Sequence, residues 1–171
     1  IIGTVVEKLK KEKGLKIIIA SGDLDTLQLV RDEKVVVYTL RKGIQDTLFY
    51  NEEEVNKRFG FGPKLLPDFK GLKGDPSDNI IGISGIGDKT ASILVQKFGV
   101  LENILGLARR NPEKLKAAGI KERIIGLLKE KEEDALFSRE LATIKKDVPL
   151  EFSLSDCAFK SFDSIKIEAL F

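Results

Sequence analysis

The chain contains no histidine, no methionine and no tryptophan, and a single cysteine, Cys157, among its 171 residues. Without histidine there is no imidazole general base, and the usual zinc sites are excluded with it. One cysteine excludes an internal disulfide. No run of about 18 apolar residues occurs, so nothing in the sequence reads as a membrane span or a secretory leader. A net charge of +2 is too small to argue for nucleic acid by itself, so any basic surface must be local. The missing methionine extends to position 1, and the apolar opening Ile1-Ile2 reads as a segment of a longer protein. What is present, 42% hydrophobic and 33% charged residues, suffices for a buried core in one domain or two small ones.

The first third of the chain alternates helix and strand. Ile1, Ile2, Val5, Val6 and Leu9 share one helical face, and Gly14 ends that helix. The charged run Glu7 to Lys13 is a solvated face of it. Residues 16–20 are almost wholly apolar, as a buried parallel strand would be. A short helix over 24–30 and a strand over 35–40 complete a βαβ unit, Gly43 turns, and 47–50 forms an edge strand. From there the pattern is helical. Asn51 and Glu54 form a capping box for a helix ending near Gly60, and Pro63 opens another. Further helices are expected over 88–98, stopped by Gly99, then near 101–107, 112–118, 121–131 and 132–144. The apolar tail 157–171, with Ile165, Ile167, Leu170 and Phe171, reads as a closing helix. The ten phenylalanines read as core. The fold class is α/β followed by all-α, with the change between Asn51 and Pro67.

Two constellations carry chemistry. Asp23 and Asp25 follow the strand over 16–20, at the end where open α/β sheets place ligands. Asp75 and Asp78 stand three residues apart before a glycine turn. For Asp23 and Asp25 alone, helix capping is at least as good an account, and for Asp75 and Asp78 alone, turn chemistry is the better one. Two pairs in one small chain suggest four carboxylates converging on Mg²⁺ or Mn²⁺. The turn itself, Gly82-Ile83-Ser84-Gly85-Ile86-Gly87-Asp88-Lys89-Thr90, spaces glycines so that amide N–H groups can face an anion. A helix N-terminus and Lys89 add positive charge, while Ile83 and Ile86 anchor the hairpin from beneath. Such contacts read phosphate backbone without sequence preference. Arg109-Arg110 and Lys121 with Arg123 are cations whose spacing does not demand a DNA role.

Residues 20–29 (Ala-Ser-Gly-Asp-Leu-Asp-Thr-Leu-Gln-Leu) and 74–79 (Gly-Asp-Pro-Ser-Asp-Asn) resemble the 5′-nuclease family. Within it the likeness is to the 5′→3′ exonuclease domain of bacterial DNA polymerase I. Residues 138–144 and 147–150 resemble the segment that closes that domain. The resemblance implies a partial PIN-like nuclease core over 1–62, a SAM-like helix-hairpin-helix DNA-binding domain over 63–150 and a closing tail over 151–171. It implies metal-dependent removal of 5′ flaps and RNA primers from branched DNA in replication and repair. The cell compartment it implies is the bacterial cytoplasm, at the nucleoid, with the protein acting as a monomer and a polymerase domain in cis.

By the same resemblance, Asp23, Asp25, Asp75 and Asp78 are catalytic metal ligands for the second of two metal positions. Gly82, Gly85, Ile86, Gly87, Lys89 and Thr90 are the DNA-binding hairpin, whose carbonyls hold K⁺ in some members. Ile81 and Ser84 stand where many members have proline. Family members also carry a leading strand with an aspartate, a threading arch and an acidic cluster for the first metal, upstream of a helix like residues 1–13. On this comparison the fragment is catalytically incomplete. The competing expectation is a non-catalytic helix-hairpin-helix DNA-binding module.

Overall fold

The computed structural model describes residues 1–40, 46–159, 161 and 167–169. Helix α1 (Ile2–Leu9) turns Val6 inward. It stops earlier than expected, and Gly14 supplies a left-handed turn at φ +74° before strand β1 (Ile17–Ala20). The connection from β1 to β2 (Val35–Leu40) is a 3₁₀ helix over Leu24–Leu29, where a short α-helix was expected. Asp23 caps its start. Its buried side, Leu27 and Leu29, seals one face of the sheet. Strand β1 runs parallel to β2, and β2 pairs antiparallel with β3 (Thr47–Tyr50), giving the order β1-β2-β3. The turn expected at Gly43 lies outside the described residues.

Helix α2 (Glu52–Phe59) starts at Asn51, whose Oδ1 accepts the Glu54 N–H at 3.0 Å. The Glu54 carboxylate lies 3.7 Å from Lys57 Nζ. Gly60 closes the helix at φ +77°. Pro63 opens a 3₁₀ turn over Pro63–Leu65 that leads into α3 (Leu66–Lys73). The remaining helices are α4 (Asp88–Phe98), α5 (Leu101–Arg110), α6 (Pro112–Ala117), α7 (Glu122–Glu130) and α8 (Glu132–Ala142). No single helix is long and apolar enough to cross a membrane among the described residues.

One continuous apolar cluster runs through both halves, from Val6, Leu27 and Val37 to Leu94, Ile125 and Leu128. Helix α3 lies at its centre, against α8, α4 and α5. Polar ties lock the end of α8 to the front of the chain. The buried Gln28 donates from Nε2 to the Ala142 carbonyl at 2.8 Å and accepts the Ile144 N–H at 3.2 Å. The Val148 N–H donates to Thr4 Oγ1 at 3.2 Å, so residues 143–150 run back over α1. Asp68, 5% exposed, accepts from the Leu101 N–H at 3.0 Å and from Arg139 at 3.3 Å.

Phe59, Phe61 and Phe69 form a tilted triad with centroids 5.3–6.2 Å apart. Phe49, Phe137 and Phe159 are more than half exposed, so the phenylalanines are not uniformly core. In the tail a 3₁₀ turn spans Ser155–Cys157. Ile167 is 41% exposed, and Ile165, Leu170 and Phe171 lie outside the described residues.

Candidate metal centre and nucleic-acid interface

Asp25, Asp75 and Asp78 each present a carboxylate oxygen such that the three atoms lie within 4.8 Å of one another. Local backbone geometry brings them there. Asp25 enters from the 3₁₀ helix after β1, on the second residue past its cap. Asp75 follows α3 directly: Gly74 takes φ +77° and turns the chain out of the helix. Asp75 then caps the 3₁₀ turn Pro76–Asp78, its Oδ1 accepting the Ser77 N–H at 3.1 Å and the Ser77 hydroxyl at 2.6 Å. Asn79, left-handed at φ 57°, brings the chain back so that Asp75 and Ile80 exchange backbone hydrogen bonds at 2.7 and 2.9 Å. Capping and clustering therefore coexist at Asp75.

Asp23 stands apart from this group. It lines the same cleft, but its Oδ1 accepts the Asp25 N–H at 2.8 Å, the capping role that competed with ligation in the sequence. Its main-chain carbonyl accepts from the buried Thr26 hydroxyl at 2.6 Å, which fixes the loop. The cap holds Asp25 in position and leaves Asp23 on the wall of the cleft.

A fourth group completes the site, one that sequence reasoning missed. Lys70, in the last turn of α3, forms ion pairs with Asp25 Oδ1 and with Asp75 Oδ2, the latter at 2.5 Å. Its ammonium stands among the carboxylates where a cation would. Burial works upward on the Asp75 carboxyl, but hydrogen bonds from Lys70 and Ser77 and the charge of Lys70 prevail and hold it at about 2. The donor set is all hard carboxylate oxygen, and the lysine already stands in as a counter-charge, so the residues suit an oxygen-seeking divalent ion. The surrounding cleft, about 680 Å³, is walled on the other side by Phe59, Phe69 and Arg58.

The glycine turn follows closely on the Asp75–Asp78 segment. Gly82 is buried at φ +63°, packed so tightly that a Cβ there would collide with the Gly74 nitrogen. The Ile83 N–H donates to the Leu72 carbonyl at 2.9 Å, tying the turn to α3. Ile83 and Ile86 are buried, as expected of hairpin anchors. Two of the amides expected to face an anion are used internally. The Gly82 N–H donates to Ser138 Oγ at 3.0 Å, because Gly82 is pressed into the core beside α8, and the Ile86 N–H closes the turn onto the Ile83 carbonyl at 2.9 Å. The amides of Gly85 and Gly87 have no such acceptor among the described residues. Gly87 caps α4 without a side chain, which leaves the first turn of that helix open as well. Lys89 is exposed and Thr90 half-buried at this helix start. Asp88, which would repel a phosphate, is paired with Lys73 at 3.0 Å.

Comparisons with known proteins bear on the family and the fold. Residues 61–165 match the family described as 5′-3′ exonuclease, C-terminal SAM fold. DNA polymerase I of Bacillus caldotenax is 40% identical over 171 residues, covering 100% of this chain and 18% of the relative. DNA polymerase I of Bacillus subtilis is 39% identical with the same coverage, so the chain spans under a fifth of these relatives' length. Among solved structures, T5 5′-exonuclease with bound zinc superposes with a TM-score of 0.65 at 22% identity, over 81% of this chain and 47% of that one. The T5 D15 flap endonuclease, in a pseudo-enzyme-product complex with DNA and metal ions, gives 0.64 at 21% identity, over 82% and 47%. At those identities the likeness is one of fold. With more than half its length inside the matched family, the chain belongs to the 5′–3′ exonucleases, in the part that carries their C-terminal SAM fold.

Proposed function

We propose that this chain is part of a metal-dependent 5′→3′ exonuclease and flap endonuclease of the DNA polymerase I type, holding one metal position and the grip on duplex DNA. The observation that carries the reading is the convergence of Asp25, Asp75 and Asp78 within 4.8 Å, directly joined to an amide-exposing glycine turn. The names of the full-length relatives and the DNA- and metal-bound T5 structure support it.

In this reading Asp25, Asp75 and Asp78 hold a divalent cation, Mg²⁺ or Mn²⁺, with Asp23 orienting Asp25 through its amide. Bound there, such an ion would stabilise the negative charge that grows on a phosphodiester under attack. The amides of Gly85 and Gly87, the start of α4 and Lys89 hold the backbone phosphates of the duplex, and turn carbonyls bind K⁺. The substrates are 5′-flap or branched duplexes and RNA-primed ends, met by a monomer in the bacterial cytoplasm with a polymerase domain in cis. Two-metal hydrolysis divides the work between two cations, and the described residues supply one cluster of three acids. The 171-residue chain alone is therefore proposed to bind flaps better than it cuts them.

A second reading, a DNA-binding module without catalysis, is favoured by one feature: Lys70 satisfies two of the acids without an ion. The deciding experiment is cleavage and binding of an end-labelled 5′-flap duplex in Mg²⁺ or Mn²⁺, with the Asp75→Ala variant alongside. Cutting that vanishes in the variant assigns catalysis to this cluster. Binding that is the same in EDTA and in Mg²⁺, and unchanged by the substitution, selects the module. A chain that neither binds nor cuts branched DNA sinks both.

A further inference from the structure

Helix α7 begins beside the glycine turn, and its second residue, Arg123, reaches across to it. A Cβ built on Gly85 would lie 3.0 Å from Arg123 Nη2 and 3.2 Å from Leu127 Cδ1, so the guanidinium lies over the backbone of the turn. Gly85 adopts φ +98°, and its lack of a side chain leaves room for that approach. Arg123 is exposed and has neither an ion pair nor a hydrogen bond among the described residues. Two neighbouring cations are already paired. Lys73 pairs with Asp88, and Lys116 pairs with Glu113 at 2.9 Å and with Glu122 at 2.7 Å. The carboxylate next to Arg123 in sequence is thus engaged by Lys116. An uncommitted guanidinium stands over a turn whose Gly85 amide is also open.

We propose that Arg123 is a phosphate-contacting residue and that α7 forms the second side of the DNA-backbone clamp whose first side is the turn over 82–87. The inference rests on the reading of that turn as a duplex grip and adds a side chain from a different helix, distant in sequence from Gly85 and beside it in space. The planar head of Arg123 offers two parallel donors to one phosphate, a geometry that lysine lacks. The contact is to backbone and carries no base preference.

The test is fluorescence anisotropy of a labelled duplex with the 171-residue chain in EDTA, across a salt series. EDTA keeps the carboxylate cluster out of the measurement. Arg123→Ala is expected to weaken binding by about fivefold, the scale of one partly exposed ion pair. The slope of log K against log salt should fall by about 0.9, one phosphate contact. Arg123→Lys should restore the slope while recovering only part of the affinity. Arg123→Gln keeps an aliphatic stem without the charge and should behave as the alanine variant does. Unchanged affinity and slope in the alanine and glutamine variants overturn this inference and leave the turn's role intact. Absence of duplex binding by the unsubstituted chain overturns the reading of the turn itself.

Discussion

Lys70 Nζ sits 2.5 Å from Asp75 Oδ2 and bridges from there to Asp25, so the acidic cluster carries its own cation on the helix that leads into it. Three clustered carboxylates would otherwise repel one another and favour protonation. The lysine favours the ionised form of the Asp75 carboxyl, and it also occupies the space a divalent ion needs.

Lys70→Met should separate these two effects. In EDTA the variant is expected to lose about 1 kcal/mol of stability, since its acids are unpaired in a partly exposed site. In Mn²⁺ the loss should be reversed, with tighter ion binding by calorimetry than in the unsubstituted chain. Weaker Mn²⁺ binding in the variant would mean that the lysine assists the ion instead of competing with it.

Stability should also depend on acid pH through Asp75. Its folded pKa, about 2, lies below the ordinary carboxylate value, so the folded state binds the proton less readily than the unfolded state. The stabilisation is fully present above about pH 4 and is lost as pH falls from there toward 2. After allowance for solvent access it amounts to roughly 1 kcal/mol. Urea midpoints measured at about pH 5 and about pH 3 in EDTA should differ by less in Asp75→Asn than in the unsubstituted chain.

Arg139 guards a buried acid. It lies 3.3 Å from Asp68 and 2.5 Å from Glu102, joining α8 to α3 and α5. Arg139→Ala should cost about 3 kcal/mol, because it strands a carboxylate in the core. Adding Asp68→Asn should recover part of that loss in the urea midpoint, since the amide keeps an acceptor for the Leu101 N–H.

Gly82→Ala is expected to be among the most damaging single-methyl changes. The new Cβ would press on the Gly74 nitrogen and the Lys73 carbonyl carbon at a left-handed backbone angle. Overpacking and strained φ together should remove about 3 kcal/mol. Gly87→Ala, where a Cβ would meet nothing within 4 Å, should leave the unfolding midpoint nearly unchanged.

Much of this was readable from residue order, for reasons that differ by element. The strands announced themselves through β-branched runs such as Ile17-Ile18-Ile19 and Val35-Val36-Val37, and Asn51 marked its helix by local capping. The Asp75–Asp78 turn was legible because its glycine and proline chemistry is local. Asp23 was ambiguous because one carboxylate serves equally as cap or ligand, and only the fold decides. Lys70 was overlooked because its role depends on where α3 lies against the loop after β1, which no spacing encodes. The one available signal was a lysine in an otherwise apolar run, Phe69-Lys70-Gly71-Leu72, just before Gly74-Asp75. Arg123 was visible as a cation, but its spacing gave it no role, since only packing brings α7 to Gly85.

The contact between Gly74 and Gly82 has a consequence for measurement along DNA. Gly82 has no room for a side chain beside Gly74, and the Ile83 amide is bonded to Leu72, so the span between the acids and the glycine turn is tightly packed. In the function proposed above, the two sites would act as the fixed jaws of a caliper, with the number of nucleotides between the held duplex and the severed bond set by backbone geometry. Lengthening that short span by a single residue should shift the cut position as well as lowering the amount of product.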